Sequence, residues 1–214
     1  VNVRQMLLLF LALNAVTAVY VLSSRTVYVW DNAGYWAVAR TLADQPFGPA
    51  QLRGILESTI SLDYNYLLAL PVSWVMRLLG GSRAVFLFSV ANLYILPGLW
   101  GLAALAPEKP WGGLLLAGLF PMLTYVGLVG YVDVASAALG IWAVAVYRSE
   151  RPAVSRGLVS GALLVGTFLL RRYFFFFAAS FGVAALVCKL LFQRKRWADF
   201  GALFASSAFC ALFC

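Results

Sequence analysis

Acid–base chemistry in this 214-residue chain must rest on eight carboxylates, because the sequence contains no histidine. That absence removes Ser-His-Asp and Cys-His schemes. Three cysteines (Cys188, Cys210 and Cys214) without histidine also exclude the common zinc spacings. All three lie in apolar segments and are expected as buried packing groups. Two carboxylates stand out by position. Asp31 lies in Trp30-Asp31-Asn32-Ala33-Gly34-Tyr35-Trp36, just past the first apolar run. Asp133 ends Gly130-Tyr131-Val132-Asp133 and opens a later one. Two acids near helix ends at one membrane face could activate a hydroxyl and orient a cation or a sugar. Each could equally be a plain helix-start residue. Asp63 opens the second run and could face the same cavity, and Glu57 could ligate a cation. Asp44, Glu108, Glu150 and Asp199 read as solvated boundary charges.

Arg171-Arg172-Tyr173 interrupts an apolar stretch and precedes Phe174 to Phe177. A guanidinium suits bidentate contact with phosphate. The competing reading is snorkelling to lipid headgroups. The aromatic run itself is expected to face lipid.

The elements that must position these groups follow from composition. Hydrophobic residues make up 63% of the chain and charged ones 11%, against about 25% charged in soluble domains. A mean hydropathy of +0.88 is too high for a water-exposed surface. A soluble enzyme, a disordered chain and a disulfide-rich secreted module are excluded. The net charge of +8 does not point to nucleic acid. The basic residues mostly sit between apolar runs, where they set topology and meet anionic lipid. The class expected is all-α: a polytopic transmembrane helical bundle, multi-pass in the plasma membrane, with a large outer loop after the first helix.

Eight runs are legible: 5–24, 64–79, 84–107, 110–132, 134–147, 157–170, 173–192 and 200–214. Continuous rather than alternating hydrophobicity favours helices over a barrel. The chain begins at Val1 and stops inside an apolar run, so it reads as the N-terminal part, 1–214, of a longer protein whose later helices and any C-terminal domain are absent. Arg194 to Arg196, Arg148 with Arg151 and Arg156, and Arg77 with Arg83 form three basic blocks. Placing all three inside puts residues 25–63 in an outer loop, with Asp133, Arg171 and Arg172 on the outer face. A conflict remains. Runs three and four would have to start inside at Arg83 and end outside at Asp133, which two complete spans cannot do. A broken or re-entrant element is expected there, with Leu96-Pro97-Gly98 or Pro121 as the breaker. In the outer loop, Asp31 is expected to cap a short helix from Asn32 to Ala43. That helix would present Tyr35, Trp36, Ala39 and Leu42 to the membrane interface, and Pro46, Gly48 and Pro49 would end it.

The order of these features matters: one helix, an outer loop opening Asp-x-x-x-Tyr, an aromatic-rich entry to the second run from Asp63 to Pro71, then Leu79-Gly80 and an Arg, and later Gly130-Tyr131-Val132-Asp133. It resembles the N-terminal half of GT-C membrane glycosyltransferases, in particular the protein O-mannosyltransferase and aminoarabinose transferase-like branch, over residues 5–177. The resemblance implies transfer of a sugar from a polyprenyl-phosphate carrier to a lipid, glycan or protein acceptor at the outer face. It implies that Asp31 is the base or acceptor-binding acid and Asp133 the second acid. Arg171 or Arg172 would hold the carrier phosphate, with Tyr35 and Asp63 as further substrate-binding candidates. A divalent cation could take part, with Glu57 and Asp133 as its possible ligands. The chain departs from the pattern at Asn32, where mannosyltransferases often carry Glu. It departs again at Asp63-Tyr64-Asn65, near the position where many relatives carry His-Pro-Pro. Both departures leave the substrate and the metal open. A transporter or lipid flippase is the alternative, although charges inside the runs are nearly absent and no inverted repeat is evident. A structural membrane subunit is the third.

Overall fold

The computed structural model describes residues 3–24, 31–61, 65–105, 111, 129–192 and 197–211. Every regular element among them is helical. The chain divides into two compact units, Val1–Ala135 and Ser136–Cys214. Four described helices are long and apolar enough to cross a membrane: Val3–Ser23, Arg83–Leu105, Ala153–Leu170 and Arg172–Leu191. Tyr66–Leu79 and Val134–Arg148 are apolar but shorter. The fourth run falls largely outside the described residues.

In the first unit, α1 (Val3–Ser23) has 21 residues, which is about 31 Å of helix and enough for a hydrocarbon core. Leu7, Leu11, Val19 and Leu22 project outward, while Leu9 and Thr17 are buried. Its partner runs unbroken through α5 (Arg83–Val90), a π-helical turn (Ala91–Ile95) and α6 (Leu96–Leu105). The break expected at Leu96-Pro97-Gly98 therefore does not occur. Pro97 has no N–H, and its ring excludes the carbonyl four residues back. The π turn just before it, closed by Leu96 N–H on the Ala91 carbonyl, shifts the hydrogen-bond register and absorbs the proline.

The two long helices are antiparallel. Leu9 packs with Leu96 and Ala103. Halfway along, the Asn14 and Asn92 carboxamides bond each other reciprocally, both at 2.9 Å. Each amide also donates to its own helix, at 2.8 Å to Phe10 and Phe88 carbonyls. The pair thus largely satisfies itself in apolar surroundings, as interhelical amides do in membranes. At the far end Arg83 Nη1 donates to the Ser24 carbonyl at 2.7 Å, and the guanidinium lies 5.5 Å from the Tyr20 ring centroid.

The expected outer loop contains two helices, α2 (Asp31–Asp44) and α3 (Pro49–Ser61), followed by α4 (Tyr66–Leu79). Pro49 opens α3, where its missing N–H costs nothing. Asn65 caps α4 by accepting from Leu67 N–H at 2.9 Å. The apolar stripe of α2 does not lie at the membrane interface. Tyr35, Ala39 and Leu42, with Asn32, are buried, and α2 packs on α4, whose inner face is Leu68, Ala69, Val72 and Met76. Only Trp36 of the expected set stays half-buried.

Placement of Arg77 and Arg83 in an inner block is corrected by the same contacts. Arg77 donates to the carbonyls of Ala43 at 3.0 Å and Leu42 at 2.9 Å, and also to Gln45. A cation here completes the C-terminal end of α2. Trp36 Nε1 donates to the Gly81 carbonyl at 3.2 Å. The 77–83 turn therefore sits at the same end of the unit as Ser24 and α2, so the second run does not cross to the opposite end. That removes the parity conflict. The chain is back at this end by Gly130, where an added Cβ would fall 2.8 Å from Leu87 and 2.9 Å from Phe86.

In the second unit, α7 (Val134–Arg148, which begins in the first), α8 (Ala153–Leu170), a 3-10 turn (Arg172–Phe174), α9 (Phe175–Phe192) and α10 (Ala198–Ala211) share a core of Ala143, Leu164, Ala185 and Leu203. Ser160 Oγ donates to the Ala143 carbonyl at 3.0 Å, and Ser206 Oγ to that of Leu158, also at 3.0 Å. Gly157 and Gly161 form a Gly-x-x-x-Gly face on α8, the small-residue device that lets helices approach in lipid. Ala153 and Arg156 lie near Trp197 and Ala198, and Gly161 lies near Leu203 and Ser206. α8 and α10 are therefore parallel, and α9 is the return stroke. Phe175 and Phe176 point outward, as expected of the aromatic run. Cys188 also lies on the exposed surface of α9 and is not buried; Val183, Val187 and Leu191 of the same helix are exposed as well.

Candidate functional site

Asp31 occupies the first turn of α2 and is exposed. A carboxylate there is favoured by the helix N-terminal dipole, and the cap expected of it shifts by one position, within the usual boundary scatter. The helix that carries it is held at three points: by Arg77 at its last turn, by Trp36 on Gly81, and by the side chain of Arg40 lying against Gly81. Asp31 stands five residues before Trp36, about 7.5 Å along the axis. Asn32 is 4% exposed, and its Oδ1 has no hydrogen-bond partner among the described residues. A buried acceptor beside an exposed acid was not singled out in the sequence as a functional group. Its only signal was its adjacency to Asp31. Tyr35, at 1% exposure, lies on the buried face of α2, the helix that packs on α4.

Asp133 is half-buried in the turn that leads into α7. Gly130 starts that turn with φ +89°, a left-handed conformation that glycine adopts without strain. Its contact with Phe86 and Leu87 fixes Asp133 to the Arg83 end of α5. The structure thus brings Asp31 and Asp133 to one end of the first unit.

The other candidates separate. Glu57 is exposed on α3 and pairs with Arg53 Nε at 2.6 Å. Asp63 lies outside the described residues. Among the described residues no group of three His, Cys, Asp or Glu side chains is arranged to hold a metal ion. Arg171 and Arg172 belong to the second unit, at the end of α8 remote from Arg156. Arg171 is half-buried, its N–H closes α8 on Thr167, and its guanidinium lies 5.8 Å from the Tyr173 ring centroid. Arg172 is exposed. A stacked guanidinium next to an exposed one at a helix end is chemically suited to phosphate.

These contacts define the class: a protein whose described residues are all-helical in their regular elements, with four described helices of membrane-crossing length and two acids at one end of its first unit. No family model, curated protein or solved structure matches the chain.

The shared end carries a direct prediction. With Cys188, Cys210 and Cys214 replaced by Ala, Gln45→Cys and Ser82→Cys should react with a membrane-impermeant thiol reagent from the same side of an intact membrane. Reaction from opposite sides would restore a crossing by the second run.

Proposed function

We propose that the chain belongs to a GT-C-like glycosyltransferase that moves a sugar from a polyprenyl-phosphate carrier to a lipid, glycan or protein acceptor at the outer face of the plasma membrane. What supports this reading is that the helix carrying Asp31 and the turn leading to Asp133 both lie at the Arg83 end of the first unit, beside a turn tied down by Arg77 and Arg83. In the proposed orientation that end faces outward. For the second unit, the excess of basic residues on the inner side puts Arg148, Arg151 and Arg156 inward and Arg171 and Arg172 outward. Arg77 and Arg83 are the exceptions to the charge rule, and their guanidiniums are engaged with backbone carbonyls rather than left to inner-leaflet phosphates.

The chemistry is a single displacement. Asp31 takes the proton of the acceptor hydroxyl as its oxygen bonds to the anomeric carbon. The bond from that carbon to the carrier phosphate oxygen breaks with inversion. The resemblance gives the carrier phosphate to Arg171 or Arg172, and a guanidinium is chemically suited to that negative charge. Asp133 orients the acceptor or a cation. The test is transfer of labelled sugar from a polyprenyl-phosphate donor by the whole protein in proteoliposomes. Movement of the intact carrier lipid between leaflets, with no sugar released from it, would replace this reading with the flippase alternative.

A further inference from the structure

The turn between α7 and α8 and the start of α10, far apart in the sequence, meet around one cleft. The turn between α7 and α8 contributes Arg148, Glu150, Arg151 and Arg156, and the start of α10 contributes Trp197. The cleft has a volume of about 580 Å³, within the range of small-ligand sites. From this arrangement we infer a binding site for the phosphate headgroup of an anionic glycerophospholipid, separate from the proposed transfer chemistry and independent of it.

Three features select this ligand. The first is charge. Three guanidiniums and one carboxylate line the cleft, and arginine grips phosphate oxygens in a bidentate fork. Arg156 is committed in part to the fold, since its Nη1 donates to the Ser149 carbonyl at 3.0 Å. Arg148 and Arg151 are exposed. The second is the helix beneath them. α8 starts after Pro152 with no side-chain cap, and Ala153 of its first turn lines the cleft. The first N–H groups of a helix favour an anion, and here no side chain occupies them. The third separates a lipid from a free anion. Trp197 lines the cleft and is 43% exposed, and Val154 and Leu158, on the same helix as the lining residues Ala153 and Arg156, are 53% and 45% exposed, so an apolar wall runs along α8 from the charged cleft. An acyl chain covers such a wall, and an indole at the headgroup level is the usual interfacial anchor. Glu150 then accepts from a headgroup hydroxyl, which favours phosphatidylglycerol over a bare phosphate monoester. Basic pockets between membrane helices recognise headgroups on these terms.

The experiment uses the whole protein in neutral detergent, with phosphatidylglycerol, phosphatidylcholine and soluble glycerophosphoglycerol as probes and retained lipid counted by native mass spectrometry. The wild-type protein should retain phosphatidylglycerol in preference to phosphatidylcholine, and less of it as salt is raised. Each surface arginine contributes about 5-fold to anionic-lipid affinity. The double substitution Arg148→Gln/Arg151→Gln should therefore weaken phosphatidylglycerol binding about 30-fold and leave phosphatidylcholine retention and thermal stability unchanged. Equal retention of the two lipids by wild type, or undiminished phosphatidylglycerol binding in a folded double variant, would overturn the site. Glycerophosphoglycerol competing as well as the lipid would overturn the lipid assignment and leave a free-anion site. The wild-type comparisons decide the matter even if the double variant fails to fold.

Discussion

Asp31→Asn should lower sugar transfer by about 10²–10⁴-fold, the usual contribution of a positioned general base, while expression and membrane insertion stay near wild type. The residue is exposed and sits in the first turn of α2, so the substitution opens no cavity and strands no buried charge. What the fold loses is a charge–dipole term of about 0.3–1 kcal/mol at the helix N-terminus. α2 is held mainly elsewhere, by Tyr35, Ala39 and Leu42 against α4 and by Arg77 at its other end. The amide cannot take a proton from an acceptor hydroxyl at neutral pH. Asp31→Ala adds the second arm. If Asp31 only starts the helix, Asn restores function and Ala costs stability. If it is the base, both abolish turnover and neither unfolds the protein. Wild-type transfer rates in Asp31→Asn would remove this residue from the mechanism.

Gly161→Leu should have the largest effect on folding. A Cβ at Gly161 would stand 2.7 Å from Ser206 Cβ and 2.8 Å from the backbone oxygen of Leu203. A side chain can rotate away, but a helix carbonyl moves only if α10 moves. Overpacking costs about 1–3 kcal/mol, occasionally more, and leucine inserts three carbons beyond the first clash. Gly161→Ala should already lie in that range. Gly182→Ala on α9 is the control, since nothing lies within 4 Å of its Cβ position. There the gain in helix propensity of about 0.5–1 kcal/mol should show as unchanged or raised thermal stability. The comparison is a melting series of purified variants in one detergent. Equal shifts at the two glycines would mean that α8 and α10 do not pack through Gly161.

Both outcomes depend on features of different kinds. The helix over residues 31–44 was legible because its causes are local: an acid at its start, apolar residues at helical spacing, and Pro46, Gly48 and Pro49 beyond its end. The two longest spans of the first unit were legible from run length alone. Which way the stripe of α2 faces was not, because Tyr35 and Leu42 are as acceptable to a headgroup layer as to a protein groove. Arg77 and Arg83 misled for a related reason. The charge rule treats a guanidinium as seeking water or lipid phosphate, and here both are occupied by main-chain carbonyls at the ends of other helices.

The sequence by itself determined that this chain is apolar, helical and membrane-length in its main elements, and that any acid–base chemistry falls to a few carboxylates. Those properties are sums over residues, and a sum survives without knowing who neighbours whom. Only the tertiary structure decided that the second run ends beside Ser24, that Asp133 shares an end with α2, and that the basic α7–α8 turn faces a cleft closed by the start of α10. Each of these is a pairing between residues distant in the chain. A hydrogen bond such as Arg83 to Ser24 depends on one donor meeting one acceptor at 2.7 Å, and no local pattern encodes that distance.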